Sequence, residues 1–461
     1  MNKNLILNTD SYKTSMFNQY PQGTEAIFSY IESRGGRYNE SVFFGLQAFI
    51  KEYLTKPITQ ADIEEAAEVL TMHGEPFNRK GWQYILDEHA GYLPIRICAV
   101  PEGTVVPVKN VLATIVNTDH KCFWLTTVLE TALLRAIWYG TTVATQSYSI
   151  KKVILGYLER TGDPSTIGFK LHDFGARGVS SMESASIGGA AHLVNFMGTD
   201  TLSGVLFARE YYNAGIAGFS IPAMEHSTVT SWGRESEAES YRNMLTQYGK
   251  PGAILACVSD SYDVFWAASK IWGEELKQQV IDSGATVVIR PDSGDPVAVN
   301  LRLIEILGNK FGFTKNAKGY KVLNNVRLIQ GDGVNERSIQ SILGAITAYG
   351  WSADNIAFGM GGALLQQIDR DTMKFAMKCS AAKINGKWVA VQKDPVTDPG
   401  KKSKAGLVTL WKSDQGEYQS GIMPSWTDIG NSWADALETV FFNGELLIDM
   451  TFEEVRANAN K

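Results

Sequence analysis

The sequence predicts an α/β protein: an irregular (β/α) barrel-like domain over residues 166–379, with an α+β layered domain built from residues 1–165 and 380–461. Three observations predict it. From residue 166 onward, eight short apolar runs each end in small, charged or glycine residues. Helical stretches separate most of these runs. Outside that region, longer strand-like runs mix with helices without a regular βαβ alternation.

In the first 165 residues, "EAIFSYIES" and "GYLPIRICAVPEGTVVPV" read as strands, and 59–72 and 123–138 as helices. The barrel runs follow in order: "GFKLHDFGARG", "HLVNFMGTD", "GFSIPAMEHST", "AILACVSDSYD", "TVVIRPDSGDP", "VRLIQGDGV", "NIAFGMGG" and "KFAMKCS". Helices are expected at 183–193, 233–248, 262–281, 296–309 and 335–348. In such barrels, functional residues gather where strands end and loops begin. Here those ends carry His172, Asp173, Arg177, Asp200, Glu225, His226, Asp260, Asp263, Arg290, Asp292 and Asp332. Polar residues also mark loops in any protein, so position alone assigns no role. The tail from residue 380 returns to strands and polar turns, expected to pack on the N-terminal layer.

Composition narrows the function. With 461 residues, 44% of them hydrophobic, the chain can bury a large core. A net charge of −6 supplies no general attraction to nucleic acid or anionic lipid, so any phosphate site must be built locally. No signal-peptide core opens the chain, and no stretch approaches the roughly 18 apolar residues of a membrane span. Cys98, Cys122, Cys257 and Cys379 lie far apart without a CxxC pair, which fits reduced packing residues in a cytoplasmic protein. The histidines at 73, 89, 120, 172, 192 and 226 lack zinc-site spacing. Neither a Walker-type phosphate loop nor a GxSxG elbow is present.

Several motifs have the residue types for phosphate and sugar chemistry. "RPDSGDP" joins Arg290, a bidentate fork for phosphate, to Asp292, which can orient hydroxyls or a cation; the same pair can also serve as a structural ion pair. "QGDGV" and "FGMGGALL" are glycine-rich turns. Gly361 and Gly362 lead toward a helix whose free amides suit an anion, although such turns often serve only close packing. "KDPVTDPGKKSK" is a basic loop fit for polyphosphate or for solvent. "PAMEHST" ends an apolar run on Glu225 and His226 with small neighbours.

Together with "TDSYK", "VSDSYD" and "HLVNFMGTDT", these segments resemble the nicotinamide phosphoribosyltransferase family of type II phosphoribosyltransferases over essentially the whole chain. The resemblance implies transfer of a phosphoribosyl group from 5-phosphoribosyl 1-pyrophosphate (PRPP) to nicotinamide, with Mg²⁺. It also implies ATP coupling through a phosphohistidine, in a homodimer with shared active sites. On that pattern His226 accepts the phosphoryl group, with Glu225 beside it. Phe174 and the partner subunit's Tyr12 sandwich the pyridine ring, Asp10 belonging to the same nicotinamide site. Asp200 accepts the carboxamide NH₂, and Arg177 lies near the ring. Asp263 and Asp292 touch ribose hydroxyls or the metal shell. Arg290, Gly331, Asp332, Gly361, Gly362 and Arg370 hold phosphate and ribose, and Arg34, Lys378, Lys393 and Lys401 approach the polyphosphate. Phe169, Met360 and a short loop after Arg34 depart from the animal pattern. Nicotinate phosphoribosyltransferase shares the architecture, and an idle binding protein could keep the scaffold. Asp200 argues against the first, because it would repel nicotinate's carboxylate.

Overall fold

The computed structural model describes residues 4–394, 397, 403–423 and 433–461. The chain forms two compact units, one of Met1–Thr145, Ala208–Ala214 and Ile368–Lys461, the other of Gln146–Phe207 and Gly215–Gln367.

The first unit is built on a seven-stranded antiparallel sheet in the order Lys387–Ala390, Phe375–Ile384, Thr24–Ser33, Val111–Asn117, Ile95–Ala99, Glu438–Phe442, Glu445–Leu446. Thr24–Ser33 lies inside the sheet and is buried along almost its whole length, the polar Ser29, Glu32 and Ser33 included. Ala26, Phe28 and Tyr30 pack into one cluster and Ile31 into another, larger one with Phe43, Trp82 and Ile97. The helix Gln60–His73 starts at a Thr59–Asp62 capping box and stops at Gly74, whose φ of +91° suits glycine.

One expected element belongs elsewhere. "KFAMKCS", read as the eighth barrel run, is part of Phe375–Ile384, which pairs antiparallel with Thr24–Ser33 in the first unit. Its apolar pattern suits either sheet, and only the distant partner decides which one it joins.

The second unit holds six parallel strands in the order Gly198–Thr199, Leu171–Asp173, Ile356–Met360, Val326–Gln330, Thr286–Arg290, Ile254–Val258. Both edges bond to the stretch 219–224. Phe219 bridges Gly198, and Ala223 bridges Ala256. The Ala256 amide donates to the Pro222 carbonyl at 3.0 Å, and the Met224 amide to the Ala256 carbonyl at 2.9 Å. The sheet therefore closes into a small barrel through a segment that Pro222 keeps from forming a full ladder. Ala256, Val288 and Ile329 fill its interior with Ile221, Ala357 and Phe174.

Helices cover the outside. Pro296–Phe311 opens with Asp295 capping Ala298 and proline in the first turn, and buries Leu303, Ile304, Leu307 and Phe311. Glu336–Ala348 opens with an Asn335–Ser338 capping box. The expected helix 262–281 is instead three pieces, Val264–Trp266, Ala267–Glu275 and Lys277–Ser283. Because all six strands run the same way, their C-terminal ends bring residues 173–175, 199–200, 258–260, 290–292, 330–332 and 360–362 to one rim.

Candidate active site

The rim is organised around one aromatic ring. Phe174 continues from the strand Leu171–Asp173, its amide donating to the Met360 carbonyl at 3.0 Å. The ring lies against Gly359, where a Cβ would come within 1.8 Å of Cε2, so only glycine admits it. At Gly331 a Cβ would stand 3.5 Å from Asp292 Oδ1, 3.6 Å from Phe174 Cε2 and 3.8 Å from Arg290 Nε. Ring, carboxylate and guanidinium thus converge on one glycine. Arg290 Nη2 donates to Asp292 Oδ2 at 3.0 Å, while its Nε is buried with no partner among the described residues. An unmet guanidinium donor aimed at a glycine-lined space suits an anionic ligand.

His226 opens the short helix His226–Thr230 on the same rim, its side chain 45% exposed. Its Nε2 meets Asp260 Oδ1 at 2.9 Å, and its Nδ1 lies 4.0 Å from Asp292 Oδ2. Asp260 Oδ2 accepts from Ser293 Oγ at 2.7 Å and from the Asp292 amide at 3.0 Å. Burial opposes ionisation of Asp260, yet the hydrogen bonds from Ser293, His226 and the Asp292 amide outweigh it and hold the carboxyl below its ordinary range. An ionised Asp260 only accepts, so Nε2 carries a proton, and in the neutral imidazole the lone pair is on Nδ1. Glu225 turns its carboxylate to Ser227 Oγ.

Asp200 sits exposed at the end of Gly198–Thr199, held by Ser220 Oγ on one carboxylate oxygen and through its amide by the Asp173 carbonyl at 2.9 Å. Asp173 is fully buried, accepts from the Gly175 amide at 2.7 Å, and is pushed up to about 6 by burial. Arg177 is exposed in the turn Ala176–Gly178. Gly178 packs on Gly362: a Cβ on the first would lie 3.1 Å from the second's Cα. Gly361 and Gly362 do open a helix, but Gly362–Leu365 is a single turn. Asp332 is exposed between Gly331 and Gly333.

In the first unit, Lys378 is held below its ordinary value, first by burial; Glu130 opposes this, and the charges of Arg34, Lys13 and Arg370 reinforce it. Of these groups, Lys13 pairs directly with Glu130 at 2.7 Å. Arg34 donates to Glu32 Oε1 at 3.1 Å, and its Nη2 is buried without a partner among the described residues. Tyr12 is 55% exposed, with the Lys13 ammonium 5.2 Å from its ring centroid. Asp10 accepts from Thr131 Oγ1 at 2.6 Å, and Lys393 is tied to Ser403 by its backbone. Lys401 lies outside the described residues.

Comparison with known proteins fits this geometry. Residues 169–445 match the nicotinate phosphoribosyltransferase (NAPRTase) family model, and residues 4–97 match the nicotinamide phosphoribosyltransferase N-terminal domain. A protein of Xanthomonas campestris pv. campestris named nicotinamide phosphoribosyltransferase is 57% identical over 460 residues, covering 99% of this chain and 98% of its own. The chain belongs to the nicotinamide phosphoribosyltransferase family. A further relative of that name, from Acinetobacter baylyi, is 33% identical, covering 97% of this chain and 95% of its own. The fold is shared with a nicotinate-nucleotide pyrophosphorylase from Pyrococcus furiosus at a TM-score of 0.64, with 17% identity over 99% of this chain and 95% of that one.

Within this nicotinamide phosphoribosyltransferase-family site, sequence reasoning missed three residues. Asp260 was visible only as a strand end, and it, rather than Asp263, reaches His226 and Asp292. Asp263 instead caps Val264–Trp266, its Oδ1 accepting from the amides of Phe265 and Trp266, both at 2.9 Å. Ser220 and Gly359 carried no signal of their own in a single sequence. For a metal, Asp292 Oδ1 is one rim carboxylate oxygen that accepts no bond among the described residues. In the first unit, His89, Asp119 and Cys122 place ligand atoms within 4.8 Å of one another, a grouping that sequence spacing hid. There Asp119 already accepts from Tyr84, His89 and the Lys121 amide, and burial pushes the Cys122 thiol up to about 12. Such a trio is closed by its own hydrogen bonds.

Proposed function

We propose that the chain joins nicotinamide to PRPP, giving nicotinamide mononucleotide and pyrophosphate in NAD salvage. The observation that carries this reading is the convergence on Gly331 of Phe174, an Arg290 donor without a partner and the Asp292 oxygen that accepts no bond. The 57% identity to a protein named for that reaction, over nearly the full length of both chains, supports it.

The pyridine nitrogen attacks C1 of the ribose, and the C1–O bond breaks with its electron pair leaving on pyrophosphate. No proton is lost from the ring nitrogen, so no strong general base is needed. Phe174 stacks on the base, a contact worth about 0.5–1.5 kcal/mol beyond burial. Asp200, fixed by Ser220, accepts from the carboxamide NH₂ and repels a carboxylate at that place. Arg290 stabilises the departing charge, and Asp292 faces the ribose and its developing positive charge. Mg²⁺ would be held by the substrate's phosphates and Asp292, with Asp263 as a further candidate, and would supply neutralisation of the pyrophosphate charge. Arg177, Asp332, Gly361 and Gly362 complete the phosphoribosyl site.

His226 takes the γ-phosphoryl group of ATP on Nδ1: the new P–N bond forms as the bond to ADP breaks. The added charge draws cations and tightens the hold on pyrophosphate. Tyr12 and Lys401 come to this site from the partner subunit of a homodimer; Asp10 belongs to the nicotinamide site, and Arg34, Arg370, Lys378 and Lys393 serve phosphate and polyphosphate. The enzyme works in the cytoplasm; no helix among the described residues is long and apolar enough to cross a membrane.

The test is product formation from PRPP and Mg²⁺ with nicotinamide or nicotinate, each with and without ATP, comparing wild type with His226→Ala. Nicotinamide mononucleotide formation stimulated by ATP only in the wild type is expected. Product from neither base would overturn the reading.

A further inference from the structure

Between the two loops assigned to PRPP lies a pair of buried amides that the mechanism above does not use. Gln330 ends the strand Val326–Gln330, and Asn300 sits in the first turns of Pro296–Phe311, just after "RPDSGDP". They are 2% and 0% exposed. Asn300 Nδ2 donates to Gln330 Oε1 at 2.6 Å and to the Pro296 carbonyl at 2.7 Å. Gln330 Nε2 donates onward to the Asp332 carbonyl at 2.7 Å. The order of donors fixes the orientation of both amides: with Oε1 receiving from Asn300, Nε2 must face the loop.

The consequence follows from peptide planarity. In a trans peptide, C=O and N–H point in opposite directions. Turning the Asp332 carbonyl inward to Gln330 therefore turns the Gly333 N–H outward. The next peptide is anchored as well, because Ser338 Oγ donates to the Gly333 carbonyl at 3.0 Å. Within the described structure the amides of residues 331–334 donate to no protein acceptor. Gly333, at φ +65°, can take this backbone shape without strain. The arrangement also has a stability cost, since Asn300 Oδ1 is buried without a partner. An apolar pair of similar volume would fill the same space without the orphan Asn300 Oδ1.

We propose that Asn300 and Gln330 are positioning residues that aim the amides of loop 331–334, Gly333 foremost, at the phosphate monoester of the phosphoribosyl substrate. The inference rests on the reading that this chain uses PRPP. A neutral amide relay suits the task, because a buried carboxylate at Gln330 would repel the phosphate and a lysine would bind it without aiming the backbone.

The test is the double variant Asn300→Leu/Gln330→Met, which removes both amides together and so leaves neither one unpaired. The KM for PRPP should rise about tenfold, the scale of a misplaced binding loop. The KM for nicotinamide should stay within about twofold of wild type. A folded double variant with an unchanged PRPP KM would overturn the proposal, because a merely structural pair would leave that constant alone. Should the double variant fail to fold, the wild-type protein labelled with ¹⁵N-glycine decides. Its Gly333 amide resonance should shift on titration with PRPP and, more weakly, with inorganic phosphate; no shift on saturation with PRPP overturns it. If the wild type binds no PRPP by calorimetry, the parent reading fails and this one with it. If it binds PRPP with a silent Gly333, only this one fails.

Discussion

Asp260 accepts from His226, Ser293 and the Asp292 amide, and so decides which imidazole nitrogen of His226 is free. Asp260→Asn replaces one acceptor oxygen by an NH₂ donor and removes the charge that fixes the tautomer. The variant should lose ATP stimulation by about 10²-fold, the size of a positioned proton-holding group; undiminished stimulation in a folded variant would contradict the assignment. Gly359→Ala drives a methyl into the Phe174 ring. Losing that stack should raise the KM for nicotinamide about two- to tenfold in steady-state assays. Asp173 makes a pH prediction. Its folded value of about 6 lies above its ordinary 3.8, so the folded state holds the proton more tightly. That stabilisation is complete below about pH 4 and is lost as pH rises toward 6, at most about 3 kcal/mol at 1.36 kcal/mol per unit. Relative to Asp173→Asn, the wild type should lose thermal stability across that window, and parallel melting profiles would contradict it. At this scale the sequence was partly legible. Arg290, Asp292 and His226 announce themselves by type and place, whereas "SDSYD" offers two carboxylates and only the end of Ile254–Val258 selects Asp260. Gly359 is invisible until the ring it admits is placed.

At the scale of elements, parallel strands made the barrel readable, because each buried run must stop at a polar rim. The stretch 219–224 was harder. Pro222 cannot donate, so the run closes the barrel by two single bridges, and its sequence looks like an ordinary strand. "KFAMKCS" misled for the converse reason: its alternation is real, but its partner Thr24–Ser33 is remote in sequence. The end of Glu130–Thr161 carries a device no local pattern reveals. Lys318 Nζ donates to the carbonyls of Leu158, Glu159 and Gly162 at 3.2, 2.8 and 2.7 Å. A cation on the last carbonyls of a helix is worth about 0.3–1 kcal/mol. Lys318→Met should therefore lower Tm by about 1–3 °C in a thermal melt, with activity retained. An unchanged Tm would show that the contact contributes nothing.

At the scale of the whole molecule, the proposed function gives each active site a Tyr12 from the partner subunit of a homodimer. Two variants inactive for different reasons, Tyr12→Ala and Asp292→Asn, then become informative when co-refolded. If a site draws Tyr12 from one subunit and Asp292 from the other, each mixed dimer regains one intact site. Random mixing should restore about a quarter of wild-type activity. No recovery in verified mixed dimers would place all the residues of a site in one chain. The central claim is that this rim selects an amide base for phosphoribosyl transfer. Its most direct test is a single-vessel competition, with equal nicotinamide and nicotinate, limiting PRPP, Mg²⁺ and ATP, both mononucleotide products being quantified. Nicotinamide mononucleotide is expected in large excess. Equal products, or an excess of nicotinate mononucleotide, would contradict it.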